Sequence, residues 1–152
     1  MKNLRYEVIK YAKMLNSKEL SALRSGNISV RYKNGFLITP SGAKYSLLKS
    51  KDVVFVSLKG EFDKKKGIPS SEWRFHQDIY KNKTEAKAIV HAHSNYATAI
   101  STHGKGIPAF HYMVAMAGGN DIKCAKYATY GTRELSKNIL KALRQRNACL
   151  IG

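Results

Sequence analysis

Residues 28–39 read ISVRYKNGFLIT, and this stretch predicts a β-hairpin from which the fold can be built outward. Apolar and polar residues alternate as far as Tyr32, the pattern of a strand with one buried face. Asn34-Gly35 follows, a dipeptide that favours a tight turn between antiparallel strands. Residues 36–39 then return as a second apolar strand. The stretch therefore predicts the beginning of an antiparallel sheet.

The segments around this hairpin alternate between helix and strand patterns. Apolar residues at helical spacing predict an amphipathic helix that ends at about Leu15. Strands are predicted at residues 53–56, 88–91, 124–128 and 148–151, and helices from about residue 70, near residues 96–102 and after Thr132. We therefore expect an α/β fold with a mostly antiparallel central β-sheet flanked by helices, in a single domain over residues 1–152.

The composition is that of a globular chain without a membrane anchor. The 152 residues are 43% hydrophobic, which is enough for a substantial core. No apolar stretch approaches the roughly 20 residues that span a bilayer, and the first residues are too polar for a signal peptide. Cys124 and Cys149 lie far apart among apolar neighbours, as reduced core thiols do. We expect a cytoplasmic protein without a membrane partner.

The net charge of +17 raises the question of nucleic-acid binding. The basic residues are scattered, however, and the densest cluster, Lys64–Lys66, falls in a predicted loop. No RNA-binding motif or zinc-finger spacing accompanies them. The charge therefore predicts attraction to anions, including a phosphate ester, and not a specific nucleic-acid partner.

Residues 69–76, PSSEWRFH, supply the first group of chemically useful side chains. Ser70 and Ser71 lie where a helix is predicted to begin, with Glu72 in its first turn. Backbone N–H groups and serine hydroxyls converge on an anion at such a helix start. Ordinary capping explains the same residues equally well. The segment alone leaves both interpretations open.

Residues 91–93, HAH, supply the second group. His91 and His93 stand at i and i+2 after a predicted strand, so both rings can address one ion from the same face. Neutral imidazole is the usual protein ligand of zinc. An isolated pair of this kind is more often a surface or packing feature. Spacing gives His76, His103 and His111 no more than structural roles on helices or loops.

Together these segments resemble the class II aldolase/adducin family. The resemblance runs over the whole chain, through residues 26–32, 37–42, 69–76, 91–93, 111–113, 117–120 and 127–135. The run SSEWRFH is the most specific of these motifs. Related ribulose-phosphate 4-epimerases carry aspartate after the paired serines, so Glu72 favours the aldolase branch.

The resemblance implies an activity and a set of roles. It implies a zinc-dependent aldolase that reversibly cleaves L-fuculose 1-phosphate to dihydroxyacetone phosphate and L-lactaldehyde. The residues that match the family's phosphate-binding positions are Asn27, Thr39, Gly42, Ser70 and Ser71. His91 and His93 become zinc ligands, and Glu72 becomes the acid/base residue and a further candidate ligand. Tyr112 becomes a proton donor that reaches into a neighbouring subunit's site, and the family's homotetramer is the expected assembly.

One family feature is missing from this sequence. The third zinc histidine of the family follows the strand that begins here at Ala148, and the sequence reaches Gly152 before it. We therefore expect a domain that is incomplete at its C-terminus, with weak zinc affinity. Two alternatives follow: an inactive remnant or non-catalytic oligomerising module of the same fold, and a sugar-phosphate 4-epimerase.

Overall fold

The computed structural model describes residues 3–152, which divide into one unit ending at His93 and another spanning Ser94–Gly152. The helices are α1 Leu4–Ser17, α2 Trp73–Asn82, α3 Asn95–Ser101 and α4 Arg133–Ala142. The strands are β1 Asn27–Tyr32, β2 Gly35–Ile38, β3 Val54–Ser57, β4 Ala88–His91, β5 Cys124–Ala125 and β6 Leu150–Ile151. Among residues 3–152 no helix has the length and apolarity needed to cross a membrane. The predicted α/β class is confirmed.

A four-stranded antiparallel sheet forms the centre of the first unit. Its strand order is β3-β2-β1-β4, and every neighbouring pair is antiparallel. Side chains alternate across a strand, so Leu37 of β2 joins the core beneath α1, whereas Phe36 and Ile38 join the core that includes Tyr80 of α2. Both faces of the sheet are therefore covered by a helix.

The predicted hairpin is present, with its turn displaced by one residue. Tyr32 pairs with Gly35, so Lys33 and Asn34 make the turn and Gly35 is the first residue of β2. Lys33 takes the positive φ of 51°. Gly35 is needed for a different reason, because a Cβ there would lie 2.2 Å from the carbonyl oxygen of Val56. The dipeptide therefore predicted the hairpin correctly, and its glycine lies in the strand and not in the turn.

Arg31 ties the far end of α2 to the sheet. Its guanidinium donates to the carbonyl oxygens of Tyr80, Lys83 and Ala86 at 2.9–3.0 Å. The same group lies 4.7 Å from the centre of the Tyr80 ring. A helix leaves its last carbonyl groups without partners, and a cation satisfies them well. This attachment holds the C-terminal end of α2 against β1.

The second unit combines α3 and α4 with a small parallel sheet of β5 and β6. The predicted helix after Thr132 is present, and the Thr132 hydroxyl accepts a hydrogen bond from the backbone N–H of Leu135 at 3.2 Å. Both predicted strands are present but shorter than expected, two residues each. The rest of each predicted strand is irregular.

Candidate active site

The candidate site forms where β1 begins and β4 ends. These strands are antiparallel and place Asn27 opposite His91. The start of α2 adds Glu72, whose Oε2 accepts a hydrogen bond from Asn27 Nδ2 at 2.8 Å and lies 3.4 Å from His91 Nε2. The side chains of His91 and Glu72 are 13% and 17% exposed. A carboxylate and an imidazole thus meet in a mostly buried setting that still opens to solvent.

Glu72 stands one position earlier in α2 than the sequence predicts. It occupies the N-cap position instead of the first turn, and its side chain makes no capping hydrogen bond. Ser70 lies before the helix, and its Oγ accepts from the Glu72 N–H at 3.4 Å. The expected serine N-cap is therefore wrong. Because Glu72 does not cap the helix, its carboxylate is available to Asn27 and His91.

His91 and His93 lie side by side, with ring centres 4.7 Å apart. The strand ends at His91, so the shared strand face that the spacing predicts does not bring them together. Instead, the backbone N–H of His93 donates to the carbonyl oxygen of Leu20 at 2.8 Å and to Ser21 Oγ at 3.2 Å. These two bonds hold the backbone that follows β4, so that the His93 ring lies next to the His91 ring.

The environment of His91 favours its neutral form. Burial lowers the pKa of His91 below its ordinary value, Glu72 acts in the opposite direction, and His93 lowers it further. A neutral imidazole is the form that binds a metal.

The described residues do not complete a metal centre. No group of three His, Cys, Asp or Glu side chains within residues 3–152 is arranged to hold an ion. His91 and His93 offer two donors, whereas a catalytic zinc takes three protein ligands. Glu72 is the third ligand suggested by the sequence, but its Oε2 already accepts from Asn27. The described residues therefore place two candidate metal ligands side by side without a third.

Four of the five candidate phosphate-binding residues lie on two loops that run side by side, and the fifth, Asn27, begins β1. An isolated bridge pairs Pro40 with Pro69, and the Ser70 N–H donates to the carbonyl oxygen of Thr39 at 3.0 Å. Thr39 is fully buried, and its hydroxyl accepts from the backbone N–H of Ile28 at 3.2 Å. Thr39 is thus held by the sheet, and Ser70 is brought next to it.

Gly42 and Ser71 lie at the outer ends of these loops. A Cβ on Gly42 would meet no atom within 4 Å, so the backbone there faces open space. Arg24 adds a cation, since its guanidinium donates to the carbonyl oxygen of Gly42 at 3.0 Å. Sequence reasoning missed Arg24, because the β1–β2 hairpin separates it from Gly42 in the chain. The loops offer backbone and hydroxyl groups beside a positive charge.

Tyr112 belongs to the second unit. It begins the 3-10 helix Tyr112–Ala117, and its side chain is 79% exposed. His111 precedes it and accepts a hydrogen bond from the backbone N–H of Met113 at 3.2 Å. An exposed tyrosine is available to another subunit, and its assigned role as a proton donor stays a prediction.

His76 is the site residue that sequence reasoning missed. It is fully buried, and its Nε2 lies 2.5 Å from Asn27 Oδ1. Its Nδ1 lies 2.7 Å from Ser29 Oγ, which in turn lies 2.8 Å from the hydroxyl of Tyr80. The signal was present in the sequence, because Glu72 and His76 are four residues apart and so lie on one side of the helix.

Burial also fixes the charge of His76. Removal from water lowers the pKa of His76 well below its ordinary value, and the nearby His91 lowers it further. At neutral pH the ring is therefore uncharged, with one nitrogen that donates and one that accepts.

The buried His76 predicts a loss of stability in acid. In the unfolded chain this histidine binds a proton near pH 6.5, whereas in the folded chain it stays neutral to lower pH. Between these two pKa values the unfolded state binds more protons, so the free energy of unfolding falls as pH falls, by at most about 1.4 kcal/mol per pH unit from this residue. Urea unfolding followed by the fluorescence of Trp73, the single tryptophan, measures this slope between pH 7 and 5.

The matched variants are His76→Gln and His103→Gln. His76→Gln should flatten the pH dependence of the free energy of unfolding. His103→Gln changes an exposed histidine and should leave that pH dependence unchanged. Parallel profiles for the natural protein and His76→Gln would contradict the prediction.

Comparison with known proteins identifies the family of this chain. The family model described as class II aldolase and adducin N-terminal domain matches residues 6–152. A 5-methylthioribulose-1-phosphate/5-deoxyribulose-1-phosphate aldolase of Rhodospirillum rubrum is 47% identical over 149 residues, covering 98% of this chain and 67% of that protein. The L-fuculose phosphate aldolase of Escherichia coli K12 is 50% identical over 127 residues, covering 84% of this chain and 59% of that protein.

A solved structure gives the same result. A protein named L-fuculose 1-phosphate aldolase superposes with a TM-score of 0.94 at 39% identity, covering all of this chain and 72% of the other. The chain thus spans about three fifths to two thirds of the length of the two curated relatives. The family resemblance found from the motifs is confirmed: this chain belongs to the class II aldolase and adducin N-terminal domain family.

Proposed function

We propose that this chain is the N-terminal, base-bearing part of a metal-dependent lyase that cleaves a ketose 1-phosphate to dihydroxyacetone phosphate and an aldehyde. The observation that supports this most directly is the meeting of Glu72 with Asn27 and His91 at the sheet end. A carboxylate held by one oxygen and partly open to solvent is a suitable general base. The aldolase names of the relatives point the same way.

The roles of this chain's residues follow from the atoms of the reaction. Cleavage breaks the bond between C3 and C4; the C4 hydroxyl loses its proton as the aldehyde forms, and C3 gains a proton. Glu72 returns the proton to C3, or removes it in the reverse direction. Its Oε1 suits this task, because among the described residues no hydrogen bond engages that oxygen. Tyr112 of a neighbouring subunit exchanges the proton at the C4 oxygen.

The phosphate of the substrate lies, in this proposal, between the two adjacent loops. Ser70, Ser71 and Gly42 present hydroxyl and backbone groups there, and Thr39 and Asn27 line the buried side. Asn27 has one amide N–H left after its bond to Glu72, and so it can serve both groups. Arg24 contributes positive charge beside Gly42.

Zinc is the proposed metal, with His91 and His93 as two of its ligands. When bound, zinc supplies Lewis-acid polarisation of the substrate oxygens. The remaining protein ligand comes from outside the described residues. A cytoplasmic homotetramer remains the proposed setting, since a proton donor from a neighbouring subunit requires an assembly.

The names of the two relatives contain different substrates. L-fuculose phosphate appears in one name, and 5-methylthioribulose 1-phosphate and 5-deoxyribulose 1-phosphate appear in the other. The resemblance found in the sequence favoured L-fuculose 1-phosphate, which also appears in the name of the solved structure. All three are ketose 1-phosphates that release dihydroxyacetone phosphate. We propose L-fuculose 1-phosphate as the preferred substrate and the other two as competitors.

A substrate panel tests the proposal. The purified protein is incubated with each of the three ketose 1-phosphates, and dihydroxyacetone phosphate is measured with a coupled dehydrogenase. We expect release from at least one, loss of activity after removal of metal with a chelator, and recovery with zinc. A pentulose 5-phosphate in the same panel tests 4-epimerisation. Epimerisation with no cleavage would overturn the proposal, as would inactivity on the whole panel at full zinc occupancy.

A further inference from the structure

A buried chain of hydrogen bonds leads from Tyr80 to Glu72. It passes from the Tyr80 hydroxyl to Ser29 Oγ and His76 Nδ1, and then from His76 Nε2 to Asn27 Oδ1. It ends with Asn27 Nδ2 and Glu72 Oε2. Its three inner members, Asn27, Ser29 and His76, are at most 2% exposed. We call these five residues the relay.

The direction of every bond in the relay is fixed by its last member. An ionised carboxylate only accepts, so Asn27 must present its amide N–H to Glu72. Its carbonyl oxygen then faces His76 and requires a donor, so the proton of the neutral ring lies on Nε2. Nδ1 is left as an acceptor for the Ser29 hydroxyl, and Ser29 must accept from Tyr80. All donors therefore point towards Glu72.

The groups around His76 and the protonation of Tyr80 stabilise this direction of the hydrogen bonds. Phe75 and Phe36 lie against the His76 ring, with ring centres 4.5 and 6.4 Å away, so the ring has apolar groups on its faces. Burial raises the pKa of Tyr80 to about 12, which keeps its hydroxyl protonated and able to donate. Aligned hydrogen bonds in a buried setting also strengthen one another.

We propose that His76 is a positioning residue for Glu72, acting through Asn27 by fixing which way the Asn27 amide faces. This rests on the proposed function, in which Glu72 is the base. With the Nε2–H of His76 in place, the amide holds Glu72 Oε2 and leaves Oε1 directed at the substrate. Without that donor, the amide is free to turn its oxygen towards the carboxylate, which would repel Glu72 from its position.

Two variants of His76 separate positioning from packing. His76→Gln keeps a side-chain N–H close to the position of Nε2, whereas His76→Leu removes both polar atoms. We expect His76→Leu to lower kcat by about 10²-fold, the scale of a base displaced by about 1 Å. KM should rise by less than about tenfold, because the two loops still bind the phosphate and only the amide of Asn27 turns away from it. His76→Gln should recover most of the lost kcat.

A second measurement does not depend on activity, and its histidine part uses the natural protein alone. With ¹⁵N-labelled histidine, the natural protein should show the His76 ring protonated at Nε2 and unprotonated at Nδ1. In uniformly ¹⁵N-labelled protein, the side-chain amide signals of Asn27 should be a single set, should change in His76→Leu and should return in His76→Gln. A ring protonated at Nδ1 overturns the proposal, as does a His76→Leu variant with unchanged kcat.

The two proposals fail in different ways. An inactive natural protein with full zinc would remove the proposed function, while the ring-nitrogen and Asn27 signals would still test the positioning directly. If the protein is active and its His76 is protonated at Nδ1, the proposed function stands and the positioning role of His76 is contradicted.

Discussion

Replacement of Glu72 by glutamine is expected to lower kcat for ketose 1-phosphate cleavage by about 10³-fold, within the range of lost general acid–base catalysis. The carbonyl oxygen of glutamine can still accept from Asn27 Nδ2, so the relay and the helix start should be preserved. What is lost is the ability to take and return a proton. KM should change little, because the phosphate and metal contacts do not depend on this group.

The measurement is steady-state cleavage, paired with Trp73 fluorescence to show that the first unit still folds. Glu85→Gln is the matched control, since it removes an exposed carboxylate that lies 3.3 Å from Lys83 Nζ. Its kcat should equal that of the natural protein. A Glu72→Gln variant that kept more than a tenth of the natural kcat would show that another group moves the proton.

Replacement of Gly26 by alanine is expected to have the largest effect on stability. Gly26 has a φ of +77°, and a Cβ there would lie 2.6 Å from Ser21 Oγ and 2.7 Å from the carbonyl oxygen of His91. The left-handed backbone costs about 1–2 kcal/mol for a residue with a side chain. Relief of the overlap costs about 1–3 kcal/mol more. Both are large against a total stability of about 5–15 kcal/mol.

Gly42→Ala is the control that separates these two costs. Its φ of +63° carries a similar backbone strain, but a Cβ there meets nothing within 4 Å. Urea unfolding of both variants, followed by Trp73 fluorescence, should show a clearly larger loss for Gly26→Ala. The same variant should bind zinc more weakly, because Ser21 also holds the backbone of His93. Equal losses in the two variants would mean that the chain near His91 relaxes freely.

Local patterns were sufficient for the elements and for the family. Alternation and the Asn34-Gly35 pair predicted the hairpin, and helical spacing predicted α1 and α4, because these signals depend only on neighbours in the chain. The same local patterns predicted the ends of helices and strands less accurately. Glu72 was assigned to the first turn of α2 but lies at its N-cap, where a one-residue shift decides whether the carboxylate caps the helix or faces the site.

The sequence by itself determined the fold class and the family, and it predicted the residues of the candidate site: Glu72, His91, His93 and the serines that precede α2. Only the tertiary structure decided how they are connected. Asn27 meets His91 through strand pairing, His93 is placed by Leu20 and Ser21, and His76 reaches Glu72 through Asn27. These contacts join residues far apart in the chain. The physical reason is that burial and the direction of a hydrogen bond depend on what the folded chain places around each group, which no local spacing contains.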